Sequence, residues 1–258
     1  MMSELRKYER DTPQQRLYRE MYANQTLGYV LTQKKCFASL HNAKMTMKQA
    51  LERLDSYVDP SDPDFDEGNA FHAYQTSESI RKQYPNDKEL QLVGLIHDIG
   101  KVLYAFGVPN WSVVGDTYVV GCKIPKSVVY SEETTHNPEY HKYDEFGIYA
   151  EGCGIDKLHL TYGHDEYMFQ VLYQNSGSHK LSPRYWNIIR YHSFYPWHTQ
   201  NEYQMFMNPD DYKTLEDVKM FNHFDLYSKA DEEFRVTRAI KDYYEGLLNE
   251  YFPEPLNW

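Results

Sequence analysis

The run Leu92-Val93-Gly94-Leu95-Ile96-His97-Asp98-Ile99-Gly100-Lys101 places the tightest limit on how this chain can fold. A stretch this apolar belongs in a protein interior, yet it ends in an imidazole and a carboxylate. An isolated carboxylate is costly to bury unless it pairs with a cation or metal, or takes up a proton. The fold must therefore bring partners to His97 and Asp98. Neighbouring helical residues point about 100° apart, so one ion lying between the two directions can take a donor from each. The second carboxylate oxygen can reach a further ion. A buried His–Asp hydrogen-bonded couple is the competing reading. Lys101, three residues after Asp98, shares their helical face. It reads equally as a cation favoured by a helix C-terminus or as a donor pointing into a metal cavity.

Around this run the pattern is helical. Thr12-Pro13 supplies an N-cap and a proline at the first helical position, with Leu17, Met21 and Tyr22 behind it. Thr46 and Gln49 form a capping-box pattern ahead of Leu51, Leu54 and Val58. The proline-broken acidic stretch 58–64 must be a loop. Asn69 can cap a helix to about Tyr84, and Asp87 one from about Lys88 to Phe106. A short connection around Pro85 would pack these two antiparallel. Further helices are expected over 155–174, from Ser182-Pro183 to about Phe194, from Thr214 to about Phe224, and over 232–252. Segment 107–140 is different. Val113–Val120 and Ser127–Tyr130 are β-branched and punctuated by Gly and Pro, which predicts a small irregular strand pair. The expected class is all-α, a helical bundle with a small β-hairpin insertion. No linker or low-complexity tract divides the 258 residues, so one domain over 1–258 is expected.

With 27 basic against 38 acidic residues the net charge is -11, which argues against nonspecific binding of nucleic acid or anionic membrane. No apolar run is long enough to span a bilayer, and the N-terminal residues lack the apolar stretch of a signal peptide. Cys36, Cys122 and Cys153 are scattered, without CxxC spacing, and suit a reducing compartment. Cytoplasm is the expectation.

Most of the 11 histidines are ordinary. His41, His136, His141 and His179 lie among polar neighbours, while His159, His198 and His223 stay ambiguous beside stronger candidates. His72 falls on the helix before the His97 helix, and His164-Asp165 repeats the His-Asp pair on a third. His192 lies near the end of a fourth, with Asp225 just past the end of a fifth. Imidazole and carboxylate donors without thiolate suit iron or manganese better than structural zinc. Spacing alone does not choose among these residues and their neighbours.

From about Arg6 to Trp258 the chain resembles the myo-inositol oxygenase family, a divergent branch of the HD-domain superfamily. The segments that carry the resemblance are 54–64, Phe-His-Ala-Tyr-Gln-Thr (71–76), Leu-Val-Gly-Leu-Ile-His-Asp-Ile-Gly-Lys-Val-Leu (92–103) and Val-Val-Gly-Asp-Thr (113–117). Tyr-Gly-His-Asp-Glu-Tyr-Met (162–168), His-Ser-Phe-Tyr-Pro-Trp-His (192–198) and Phe-Asn-His-Phe-Asp-Leu-Tyr (221–227) complete the ordered set. The resemblance implies an HD-type helical fold and two irons, Fe(II)/Fe(III) in the active state. His72, His97, Asp98 and Asp225 would hold one ion, and Asp98, His164 and His192 the other, with Asp98 as the bridge. It implies that Asp165 and His223 are not ligands. It also implies that Arg6, Asp59, Ser61, Lys101, Gly115, Asp116, His192 and Ser193 meet the substrate, and that Lys101 and Asp98 take part in catalysis. Pro60 departs from the acidic residue relatives tend to carry there. The activity implied is cleavage of myo-inositol by dioxygen to D-glucuronate and water, in a monomer. An HD-type phosphohydrolase is the alternative, and it would need more cationic groups than Lys101 and Arg6 provide.

Overall fold

The computed structural model describes residues 9–60, 69–227 and 234–258. Eleven α-helices among these residues form an all-α architecture, as the patterning predicts. They are α1 (Pro13–Asn24), α2 (Leu27–Cys36), α3 (Met47–Leu54), α4 (Asn69–Gln83), α5 (Lys88–Ile96), α6 (Asn110–Val113), α7 (His164–Gln174), α8 (Pro183–Tyr191), α9 (Tyr195–His198), α10 (Asp211–Tyr227) and α11 (Arg238–Tyr251). The one sheet joins β1 (Lys44–Met45) to β2 (Leu256–Asn257), antiparallel, with Lys44 opposite Asn257. No helix among the described residues is long and apolar enough to cross a membrane.

Local chemistry sets several helix starts. The Thr12 hydroxyl accepts from the Gln15 N–H, Thr46 and Gln49 form the full capping box, and the Asp87 carboxylate accepts from the Leu90 N–H at 2.9 Å. Each satisfies a backbone donor that the first helical turn leaves open. Ser182 differs, because its hydroxyl and N–H both turn to the Glu89 carboxylate, which ties the start of α8 to α5.

The apolar faces of these helices meet in one large core and a smaller cluster around Trp197, Phe206 and Val218. Buried ion pairs add specific ties. Glu166 on α7 accepts from Arg190 on α8 at 2.8 Å and meets Lys34 on α2 at 2.9 Å. Burial opposes its charge, but the two cations hold the carboxyl down to about 2. A fully buried charge needs such partners.

Packing overrides the sequence pattern in several places. The helix expected over 88–106 stops at Ile96. After a turn at His97-Asp98 the chain winds as a 3-10 helix, Ile99–Phe106, which ends at left-handed Gly107. With about three residues per turn, Lys101 comes to lie directly over Asp98. The expected strand pair within 107–140 does not form. Gly115 and Gly121 turn the chain at φ +101° and +84°, and the Val119 stretch bridges Leu160. Ser127–Tyr130 leads instead into a 3-10 helix at Ser131–His136. The β-branched residues there are buried, as a strand's would be, but their backbone partners lie elsewhere. Thr117 N–H donates to the Ser193 carbonyl and Val120 N–H to the His159 carbonyl.

Smaller differences follow the same logic. The helix expected from 155 begins only at His164, and the one expected to reach Phe194 ends at Tyr191. The one expected over Thr214–Phe224 extends through Asp211–Tyr227, so Asp225 lies inside its last turn rather than beyond it. The last helix begins at Arg238, capped by Thr237. Val58, expected on the α3 face, lies past the helix end and is exposed.

Gly100 marks the closest approach to the future site. A Cβ built there would lie 2.0 Å from the His164 carbonyl oxygen. Gly100→Ala must therefore push α7 away, and overpacking of this kind costs about 3 kcal/mol. We expect the unfolding free energy to fall by about that amount, read as a lower denaturation midpoint. An unchanged midpoint would refute this account of the α7 contact.

Candidate metal centre

Six side chains singled out in the sequence converge at the core. His72 comes from α4, His97 from the C-terminus of α5, Asp98 from the turn that starts the 3-10 helix, His164 from the first position of α7, His192 from the end of α8 and Asp225 from the last turn of α10. None is more than 7% exposed. Four of the six stand at helix ends, where the backbone changes direction and side chains of adjacent residues can converge on one point.

Asp98 stands between two sets of donors. Its Oδ1 is 3.4 Å from His164 Nε2 and 3.5 Å from His192 Nε2, and those two nitrogens are 3.4 Å apart. The centre of such a triangle lies about 2.0 Å from each corner, an ordinary metal–nitrogen bond length. Its Oδ2 is 3.5 Å from His97 Nε2, and the donor atoms of His72, His97 and Asp98 also group closely enough to hold an ion. Asp225 Oδ1 adjoins that second set, at 2.8 Å from His72 Nε2 and 3.4 Å from His97 Nε2. One carboxylate therefore offers one oxygen to each group, which is the arrangement a bridging ligand needs.

Three of the four imidazoles are oriented from behind. His97 Nδ1 lies 2.9 Å from the Gly94 carbonyl, His164 Nδ1 2.8 Å from that of Val113, and His192 Nδ1 2.7 Å from that of Ile189. A carbonyl can only accept, so each Nδ1 carries a proton and Nε2 is the ring atom left facing the centre. Metal-binding histidines are usually fixed this way. The donor set, all nitrogen and oxygen, fits iron, manganese or another borderline ion rather than a thiolate-preferring one.

Electrostatics keep both carboxylates of the cage charged. Burial works against the Asp98 charge, yet Lys101 and the surrounding histidines hold the carboxyl well below the usual range. Burial likewise opposes Asp225, and His72 and His97 hold it low. Lys101 Nζ lies 2.9 Å from Asp98 Oδ2 and 2.8 Å from Asp59 Oδ2. Burial opposes its charge too, but the two carboxylates push its pKa up. Lys101 is therefore a charged donor beside the cage, beyond the helix-terminal cation that its position alone would allow.

The other expected contact residues lie near. Asp116 is buried and meets the Tyr18 hydroxyl at 3.1 Å; Gly115 precedes it at positive φ. Ser193 follows the candidate ligand His192 and is buried. Arg6 and Ser61 fall outside the described residues. Of the ambiguous histidines, His198 is buried and donates from Nε2 to the His192 carbonyl at 3.0 Å, His159 is half-buried and His223 is exposed. Two residues had no assigned role in the sequence reading. Tyr18 carried no signal beyond apolar spacing. Thr117 lay within the 113–117 segment, but only folding shows that it contacts Asp165 and Ser193.

The sequence model for myo-inositol oxygenase matches residues 12–258. The inositol oxygenases of Homo sapiens and Pongo abelii are each 44% identical to this chain over 245 residues, covering 93% of it and 85% of their own length. Inositol oxygenase 4 of Arabidopsis thaliana is 41% identical over 256 residues, covering 97% of this chain and 80% of its own.

Proposed function

The chain belongs to the myo-inositol oxygenase family, and on that premise we propose that it cleaves the ring of myo-inositol with dioxygen to give D-glucuronate and water. The observation that carries the proposal furthest is Asp98, which presents one oxygen to each of two buried histidine groups. In this reading His72, His97, Asp98 and Asp225 hold one iron and Asp98, His164 and His192 the other, as an Fe(II)/Fe(III) pair. Iron bound there supplies Lewis acidity and the one-electron chemistry that oxidation by dioxygen requires.

The rest falls to the protein. The three-ligand group leaves more coordination positions open, so the inositol hydroxyls belong on that side. A cyclic polyol carries hydroxyls all round and no charge, and each buried donor or acceptor left unpaired costs about 1–3 kcal/mol. Asp59, Lys101, Gly115, Asp116, His192 and Ser193, with Arg6 and Ser61, are the groups proposed to meet those hydroxyls. Lys101, already charged, offsets negative charge on a hydroxyl that gives up its proton. Asp98, held as a carboxylate, keeps the two halves of the centre in register. Holding substrate and oxidant in one orientation is itself worth several kcal/mol of barrier. We further take the chain to act as one domain over 1–258, as a cytoplasmic monomer.

The phosphohydrolase alternative is weaker, because Lys101 is already shared between two carboxylates and has little charge left for a phosphate. The deciding experiment is oxygen uptake. Iron-loaded protein under reducing conditions should consume one O2 per D-glucuronate formed from myo-inositol. No uptake, or phosphoester hydrolysis in the absence of O2, would defeat the proposal.

A further inference from the structure

Asp165 follows the candidate ligand His164 directly and its Oδ1 lies 3.2 Å from His164 Nε2, but its shortest contacts are to other residues. Its Oδ1 lies 2.8 Å from His192 Nδ1, the ring nitrogen turned away from Asp98, and 3.2 Å from the Ser193 hydroxyl, which donates to it. Its Oδ2 accepts from the Thr117 hydroxyl at 2.8 Å. Thr117 also donates its N–H to the Ser193 carbonyl at 2.9 Å. Three separate parts of the chain therefore meet at one buried carboxylate: the first turn of α7, the end of α8 and the loop that carries Gly115 and Asp116.

From this geometry we propose that Asp165 is a positioning residue that holds His192 toward the three-ligand ion and locks the 115–117 loop against Ser193. The inference rests on the metal reading above and adds a role for a residue that is not itself a ligand. The His192 N–H faces the Ile189 carbonyl at 2.7 Å and Asp165 Oδ1 lies 2.8 Å from the same nitrogen, so the carboxylate adds charge beside a contact that a neutral carbonyl already orients. Carboxylates behind a metal-bound imidazole raise its basicity and fix its plane, and removing one typically weakens metal affinity by about 10–100-fold. The second oxygen has a separate task. Through Thr117 it sets where Asp116 and Gly115 stand relative to His192, so it governs substrate binding rather than ion binding.

The two tasks separate by mutation. In anaerobic Fe(II) titrations followed by calorimetry, Asp165→Ala should bind the first ion like the wild type and the second about 10–100-fold more weakly. Thr117→Val leaves the His192 contact in place. It should keep both ion affinities, raise KM for myo-inositol several-fold and change kcat little. Asp165→Asn, which keeps the volume but removes the charge, should weaken the second ion in the same sense and by less than the alanine variant. It decides the matter if the alanine variant does not fold, because wild-type affinity for the second ion in Asp165→Asn then overturns the proposal. Wild-type affinity for both ions in Asp165→Ala overturns the proposal, as does equal weakening of both, which a merely structural role would give. A Thr117→Val chain with unchanged KM removes the loop half. Ion binding is read without inositol or dioxygen, so a wild-type chain that binds two ions but leaves inositol intact sinks the functional reading and not this one. A wild-type chain that takes up fewer than two ions sinks the metal reading and this proposal with it.

Discussion

Asp98→Asn is expected to bring bound iron from about two ions per chain to below one and to lower turnover by about 1000-fold or more. The size follows from what the side chain does. Asp98 is the only one of the six candidate ligands placed toward both groups of donors, so its loss opens both sites together. A metal's contribution to charge stabilisation is worth several kcal/mol, and each 1.36 kcal/mol is about tenfold in rate. Asparagine keeps the volume and can still accept from Lys101, so the fold should survive, with a denaturation midpoint near that of the metal-free wild type. By contrast, His164→Ala touches one group only and should leave about one ion. Metal analysis of the two variants side by side gives the test. If Asp98→Asn retains two ions, the shared carboxylate is not a bridge.

Lys101 carries the second large effect. It lies between Asp59 and Asp98, each within 2.9 Å and all three buried. In the metal-free chain Lys101→Ala would remove the cation that two buried carboxylates share, and breaking a buried pair by removing one partner costs about 3–5 kcal/mol. Turnover of the iron-loaded variant should fall by about 100–1000-fold, the usual cost of removing one preorganised charge-stabilising donor. Stability and chemistry can be separated. Lys101→Ala combined with Asp59→Asn neutralises one of the two carboxylates that lose their cation, so the midpoint should recover part of the loss while turnover stays low. This is a double-mutant cycle in which the stability effects are strongly non-additive. Additive stability losses would mean that the two residues do not act as a pair.

Much of the site was legible because its signals are local. The Thr12, Thr46 and Asp87 caps depend on three or four consecutive residues, and all three form. An apolar helix ending in His97-Asp98 is equally local, and its cost when buried alone already called for partners. Other features are not local. The 3-10 winding after Asp98 follows from packing against α7, which requires Gly100 and has no counterpart in a periodicity count. The strand signal at Val119 was real, but it pairs with Leu160, forty-one residues on, rather than with a neighbour across a tight turn. The second His-Asp pair shows the limit best. Spacing marks His164 and Asp165 alike, and only the fold shows Asp165 turned to Thr117 and to the far ring nitrogen of His192.

The depth of the cage also has a kinetic consequence. With every donor at least nine-tenths withdrawn from solvent, a chelator has little room to take over the ligands one at a time. Loss of an ion is then expected to need the ends of α5, α7, α8 and α10 to part, an opening governed by local stability. Chelators should therefore strip this centre at a rate independent of their concentration once they are in excess, and the first ion released should loosen the hold on its neighbour.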